Sequence, residues 1–213
     1  MKKILFYLGL FVNVVAYNYK ILPITSEVKA RMQYSWNDNN PVSLGELCYI
    51  TLDYWGFDDK AHTGELITHK DLALEVAEIF QELFEVKYPI EKMKLVDEYL
   101  ANDEVSCADN NSSAFCSRPI TGTTNRWSMH SYGLAIDINP KQNPYCKGKV
   151  VVPQNGQLYL NRNLDVQGMI KEGDACYNAF ISRGWEWGGH WAKYKGYLDY
   201  QHFAKEINSS DDI

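Results

Sequence analysis

The sequence predicts an α+β fold in a single domain, with an antiparallel sheet at its core and helices packed on it. Three observations carry this expectation: an amphipathic run near 69–87 with helical spacing, several short apolar runs bounded by turn residues, and the absence of regular helix–strand alternation. With 213 residues, 46% of them hydrophobic and 23% charged, the chain can bury one sizeable core without crosslinks. A formal charge of −6 with no basic stripe repels phosphate backbones, so nucleic acid is not expected as a partner.

Residues 1–16, MKKILFYLGLFVNVVA, open with Lys2 and Lys3, continue in an apolar run from Ile4 to Val12 and end in Val14-Val15-Ala16. This is the pattern of a signal peptide, and the apolar run is shorter than the roughly 20 residues a spanning helix needs. An exported protein with no membrane span after cleavage is expected, in the periplasm, the cell wall or the extracellular space, with residues 17–213 as its working domain. Residues 17–67, rich in turn residues and aromatics such as Trp36-Asn37-Asp38-Asn39-Asn40-Pro41 and Tyr54-Trp55-Gly56-Phe57, are expected to wrap the core.

The helix near 69–87 takes Thr68 as N-cap and ends before Pro89, with Leu72, Val76, Ile79, Phe80 and Leu83 on one face. Met93, Leu95 and Tyr99 alternate with polar residues and suggest a strand. Residues 101–127 form a long polar loop, a length often tied to function. Leu134-Ala135-Ile136-Asp137-Ile138 reads as a strand, and Val150-Val151-Val152 and Leu158-Tyr159-Leu160 flank Asn155-Gly156 as a hairpin. A short helix over 174–183 ends at Gly184. The cysteines Cys48, Cys107, Cys116, Cys146 and Cys176 lack zinc-finger spacing; Cys107–Cys116 and Cys146–Cys176 are possible disulfides, and an odd count leaves one thiol over.

Asp137 inside a buried strand needs a partner, because an isolated buried carboxylate is costly. The run Ser128-x-His130-x-x-Gly133-x-Ala135-x-Asp137, with Asp199-x-x-His202 further on, offers two imidazoles and a carboxylate. That is the donor set of a catalytic zinc with one position left open, so Zn2+ is the expected cofactor. Asp199, three residues before His202, is placed to act on water first as general base and then as general acid toward the leaving amine.

These motifs resemble the VanY-type zinc D-alanyl-D-alanine peptidases, a group of peptidoglycan carboxypeptidases, dipeptidases and L-alanyl-D-glutamate endopeptidases. Gly45-Glu46-Leu47, Tyr54 to Phe57, Asn110 to Phe115, Arg118 to Gly122, Asp137 to Pro140 and Trp187-Gly188-Gly189 extend the resemblance over roughly residues 45–205. It implies the hedgehog/D,D-peptidase-like fold, zinc on His130, Asp137 and His202, and Asp199 as the catalytic acid/base, at a position where many relatives carry glutamate. It also implies an arginine on the substrate carbonyl: Arg118 first, Arg126 as the alternative. Ser128, Arg126, His190 and Trp191 are the candidates for substrate contact. His190 could instead support a ligand or compete as one, and a tryptophan here also suits the core. The substrates implied are peptidoglycan stem peptides, cut by a monomer acting as a D,D-carboxypeptidase. The alternatives are an L-Ala-D-Glu endopeptidase, lysin-like in attacking other cells, and a zinc-binding recognition module without turnover, as in the Sonic hedgehog signalling domain of the same clan.

Overall fold

The computed structural model describes residues 15–207 except 121, 122 and 124, so the leader expected over residues 1–16 lies, but for its last two residues, outside the described residues. Strand β1 (Tyr19–Pro23) and helix α1 (Ser26–Arg31) precede the two longest strands, β2 (Leu47–Gly56) and β3 (Ala61–His69). These three strands form an antiparallel sheet in the order β1-β2-β3. Residues 17–67 thus build part of the core instead of wrapping it. Leu47, Tyr49, Ile50, Leu52 and Tyr54 are all buried, although the turn residues around them hide the strand pattern in the sequence.

Helix α2 (Ala73–Glu85) packs against β2 through Val76, Ile79, Phe80 and Leu83, all buried. A 3-10 turn, Lys70–Leu72, precedes it, and His69, not Thr68, caps that turn by accepting from the Asp71 N–H at 3.3 Å. Thr68 remains in β3, paired with Cys48. Short strands β4 (Pro89–Ile90) and β5 (Lys92–Met93) follow. The strand expected through Tyr99 stops at Met93, because Val96–Tyr99 turns into a 3-10 helix. The long loop also contains order: helix α3 (Asp103–Ala108), capped by Asn102, and strand β6 (Asn111–Ser112), which pairs with β5.

The C-terminal half holds two small sheets. Strand β7 (Ala135–Asp137) is the strand read from the sequence. Strands β8 (Tyr145–Lys147) and β9 (Val150–Val152) form a hairpin turned at Gly148, whose φ is +58°. The hairpin expected around Asn155-Gly156 is therefore replaced by one a few residues earlier, and Gln154–Leu160 coils as a 3-10 helix. Helix α4 (Ala175–Ile181) is capped by Asp174. Strand β10 (Glu186–Trp187), helix α5 (Ala192–Lys195), strand β11 (Leu198–Asp199) and strand β12 (His202–Ala204) complete the chain. Strand β12 lies between β10 and β7, while β11 joins β8 and β9, all antiparallel. Phe203 of β12 stacks on Phe180 of α4 with ring centroids 4.1 Å apart, tying this half to the common core.

All five cysteines are free thiols, so neither expected disulfide is present. No helix among the described residues is long and apolar enough to cross a membrane.

Candidate metal centre

The site begins with a turn. Ser128 caps the 3-10 segment Met129–Tyr132 by accepting from the His130 N–H at 3.4 Å. Gly133 closes the segment at φ +68°, and a Cβ there would sit 2.5 Å from the His69 backbone nitrogen. Only glycine fits both the conformation and the approach. The chain then enters β7, which pairs with β12 so that Asp137 lies opposite His202. Residues directly opposite on antiparallel strands share a face, so Asp137 and His202 meet there and His130 reaches them from the turn.

Three atoms converge. His130 Nε2 lies 3.2 Å from Asp137 Oδ2 and 3.2 Å from His202 Nδ1, and His202 Nδ1 lies 3.0 Å from Asp137 Oδ1. All three residues are buried. His130 Nδ1 lies 2.5 Å from the Ala114 carbonyl, which can only accept, so that nitrogen carries the proton. In the neutral ring, Nε2 then points a lone pair at the carboxylate and at His202. Burial pushes the His202 pKa below its ordinary value against the pull of Asp137, favouring the neutral ring. Burial pushes Asp137 the other way, but His130 and His202 together hold its carboxyl well below the usual range. One proton on His202 Nδ1 cannot satisfy three facing acceptors, whereas a cation can. Ligand atoms on a tetrahedral zinc stand about 3.4 Å apart, close to the spacing here. The donor set therefore fits a divalent metal, held by His130 Nε2, Asp137 and His202 Nδ1.

Asp199 ends β11, opposite Tyr145 of β8, and the tight turn at Tyr200-Gln201 joins it to His202 at the start of β12. Its Oδ1 is buried without a hydrogen-bond partner among the described residues. Burial, and then the charge of Asp137, push its carboxyl pKa well above the ordinary value, with Arg118 opposing. Gly188 of the Trp187-Gly188-Gly189 run permits this packing, since a Cβ there would come 2.4 Å from the Asp199 carbonyl oxygen.

Arg118 is pinned beside His130: its N–H donates to Ser131 Oγ at 2.9 Å, and that hydroxyl lies 2.8 Å from the Arg118 carbonyl. Its Nη2 is 3.1 Å from Asp103 Oδ2, while its Nε is buried and unpartnered among the described residues. The guanidinium charge acts on Asp137, Asp199 and His202. Arg126 is exposed, and its charge acts on Lys195 and Tyr197. His190 stands apart from the three converging residues, half-exposed, 3.8 Å from Glu172 and edge-on to Trp187. Trp191 is buried, its ring centroid 5.1 Å from that of His202.

Sequence reading did not find the Ala114 carbonyl, Ser131 or Asp103. A carbonyl carries no residue signature, and Asp103 reaches Arg118 only through the packing of α3.

Residues 121–205 match the model of the D-alanyl-D-alanine carboxypeptidase family. This is the family that the His130-to-Asp137 and Asp199-to-His202 motifs resemble, and the match supports a metallopeptidase. The matched segment takes in all three converging residues and Asp199, and leaves Arg118 and the β1-β2-β3 sheet outside it. Comparison with curated proteins and with solved structures finds no match for this chain.

Proposed function

We propose that the protein is an exported zinc peptidase that hydrolyses the peptide stem of peptidoglycan, acting as a D-alanyl-D-alanine carboxypeptidase. The observation that carries this reading is the convergence of three lone-pair atoms within 4.8 Å of one another, in the segment that matches the peptidase family and that also supplies a half-buried acid, Asp199, whose Oδ1 is buried and unpartnered among the described residues. A zinc held by His130, Asp137 and His202 supplies Lewis acidity and lowers the pKa of a bound water toward about 7.

The protein's own groups supply the rest. As a carboxylate, Asp199 accepts a proton from the attacking water and delivers it to the leaving amine as the scissile C–N bond breaks. Arg118, a fixed cation in a water-poor site, holds the carbonyl oxygen as negative charge develops on it. The Ala114 carbonyl keeps the His130 proton on Nδ1, leaving Nε2 to bind. The presence of Asp199 disfavours a recognition module without turnover.

The test is to incubate the protein with muropeptides bearing pentapeptide stems, with chelator or added zinc, and follow products by mass spectrometry. The reading predicts loss of one alanine, suppressed by chelator, restored by zinc and reduced about 1000-fold in Asp199→Ala. A cut between L-Ala and D-Glu would keep the mechanism and reassign the bond. No product from folded, zinc-loaded protein would overturn it.

A further inference from the structure

Resting on the peptidase reading above, we infer that Lys195 is the specificity residue that receives the free C-terminal carboxylate of the substrate, which makes the protein an exopeptidase. The ammonium of Lys195 lies 3.3 Å from the centroid of the Trp191 ring, and the same ring packs 5.1 Å from His202. A single aromatic plane therefore connects a cation to one of the converging residues. Tyr197 meets Trp191 edge-on at 5.6 Å and Tyr145 at 5.4 Å, so the wall beside Asp199 is aromatic and shaped by rigid rings.

The charged groups facing Lys195 are few. Glu186 is 3.9 Å away, beyond hydrogen-bond distance, and is itself hydrogen-bonded to Tyr194; Asp199 and Arg126 act on it from further off. Lys195 Nζ makes no hydrogen bond to the described residues, although only 34% of its side chain is exposed. An ammonium seated on an indole face, with no hydrogen bond to a described residue, keeps donors for a carboxylate. In a peptide, the terminal carboxylate follows the scissile carbonyl by one residue, about 3.8 Å along the chain, so a cation next to the site meets a terminus and not a continuing chain. A stem that runs on past the scissile bond would present a neutral amide to Lys195.

The test compares a diacetyl-Lys-D-Ala-D-Ala tripeptide with its C-terminal amide on the zinc-loaded full chain, in wild type, Lys195→Met and Lys195→Arg. Wild type is expected to favour the acid by about 100-fold in kcat/KM. Lys195→Met should lose about 50-fold on the acid, mostly in KM, and less than threefold on the amide, with Lys195→Arg recovering most of the loss. Binding of acid and amide to Asp199→Asn, followed by tryptophan fluorescence, should show the same preference without turnover. Equal losses on acid and amide, or a wild type indifferent to amidation, would overturn the role of Lys195 and leave the peptidase reading standing. Absence of turnover on both would overturn the D-alanyl-D-alanine carboxypeptidase reading instead, and a binding preference for the acid that Lys195→Met abolishes would still uphold the contact.

Discussion

Asp199 and Arg118 place opposite demands on one small volume. In the proposed mechanism Asp199 gains and loses a proton, and burial, then the charge of Asp137, raise its carboxyl pKa. In the same mechanism Arg118 keeps its charge: burial pulls its pKa down, but the charges of Asp103, in contact at 3.1 Å, and of Asp137 outweigh that and hold it protonated. If its role is to stabilise the developing oxyanion, Arg118→Met should lower kcat by about 100- to 1000-fold with little change in KM, read from steady-state kinetics on the stem tripeptide. A matching rise in KM with kcat intact would assign it to ground-state binding. The segment resemblance around Phe115 to Arg118 ranks Arg118 ahead of Arg126, and the structure separates the two by their surroundings. The two lie only eight residues apart in the chain, yet the Ser131 hydroxyl fixes one against the His130 turn while the other is exposed.

At the scale of elements, the centre depends on one turn and one strand pair. Gly133→Ala forces φ +68° on an L-residue and sets a Cβ 2.5 Å from the His69 nitrogen. It should cost about 1–3 kcal/mol in urea unfolding and weaken zinc binding, since His130 sits in that turn. The His130-to-Asp137 spacing could be read from the sequence because both residues belong to one local turn and strand. The β7–β12 register that brings His202 opposite Asp137 could not, because it joins segments about 65 residues apart. Local turn chemistry misled at Asn155-Gly156: a Cβ on Gly156 would come 2.9 Å from the Lys141 carbonyl oxygen, so that glycine serves close packing, while Gly148 turns the hairpin. The β2 and β3 strands were hidden by polar and aromatic residues on their outer faces.

At the scale of the molecule, the N-terminal sheet supports a site to which its strands contribute no converging residue. Within that N-terminal half, Arg31 at the end of α1 holds Glu65 of β3 at 2.6–2.7 Å, joined by the Tyr49 hydroxyl of β2. Hydrogen bonding from Arg31 lowers the Glu65 pKa despite partial burial. Stability from this pair is therefore present above the unfolded glutamate value near about 4.3 and is lost as pH falls through the lower folded value. Because Arg31 is 42% exposed and screened by water, Glu65→Gln should lower unfolding free energy by only about 0.5–1 kcal/mol at neutral pH. That difference should shrink toward zero as pH falls below the lowered folded value, in urea titrations repeated across pH.

The central claim is that His130, Asp137 and His202 form one metal centre. Calorimetric titration of zinc into chelator-stripped protein tests it most directly, with wild type beside His202→Ala at equal fold integrity by circular dichroism. The account predicts one zinc per chain in the wild type and loss of that site in the variant. A folded wild type that takes up no zinc, or a His202→Ala protein that binds it unchanged, would contradict it.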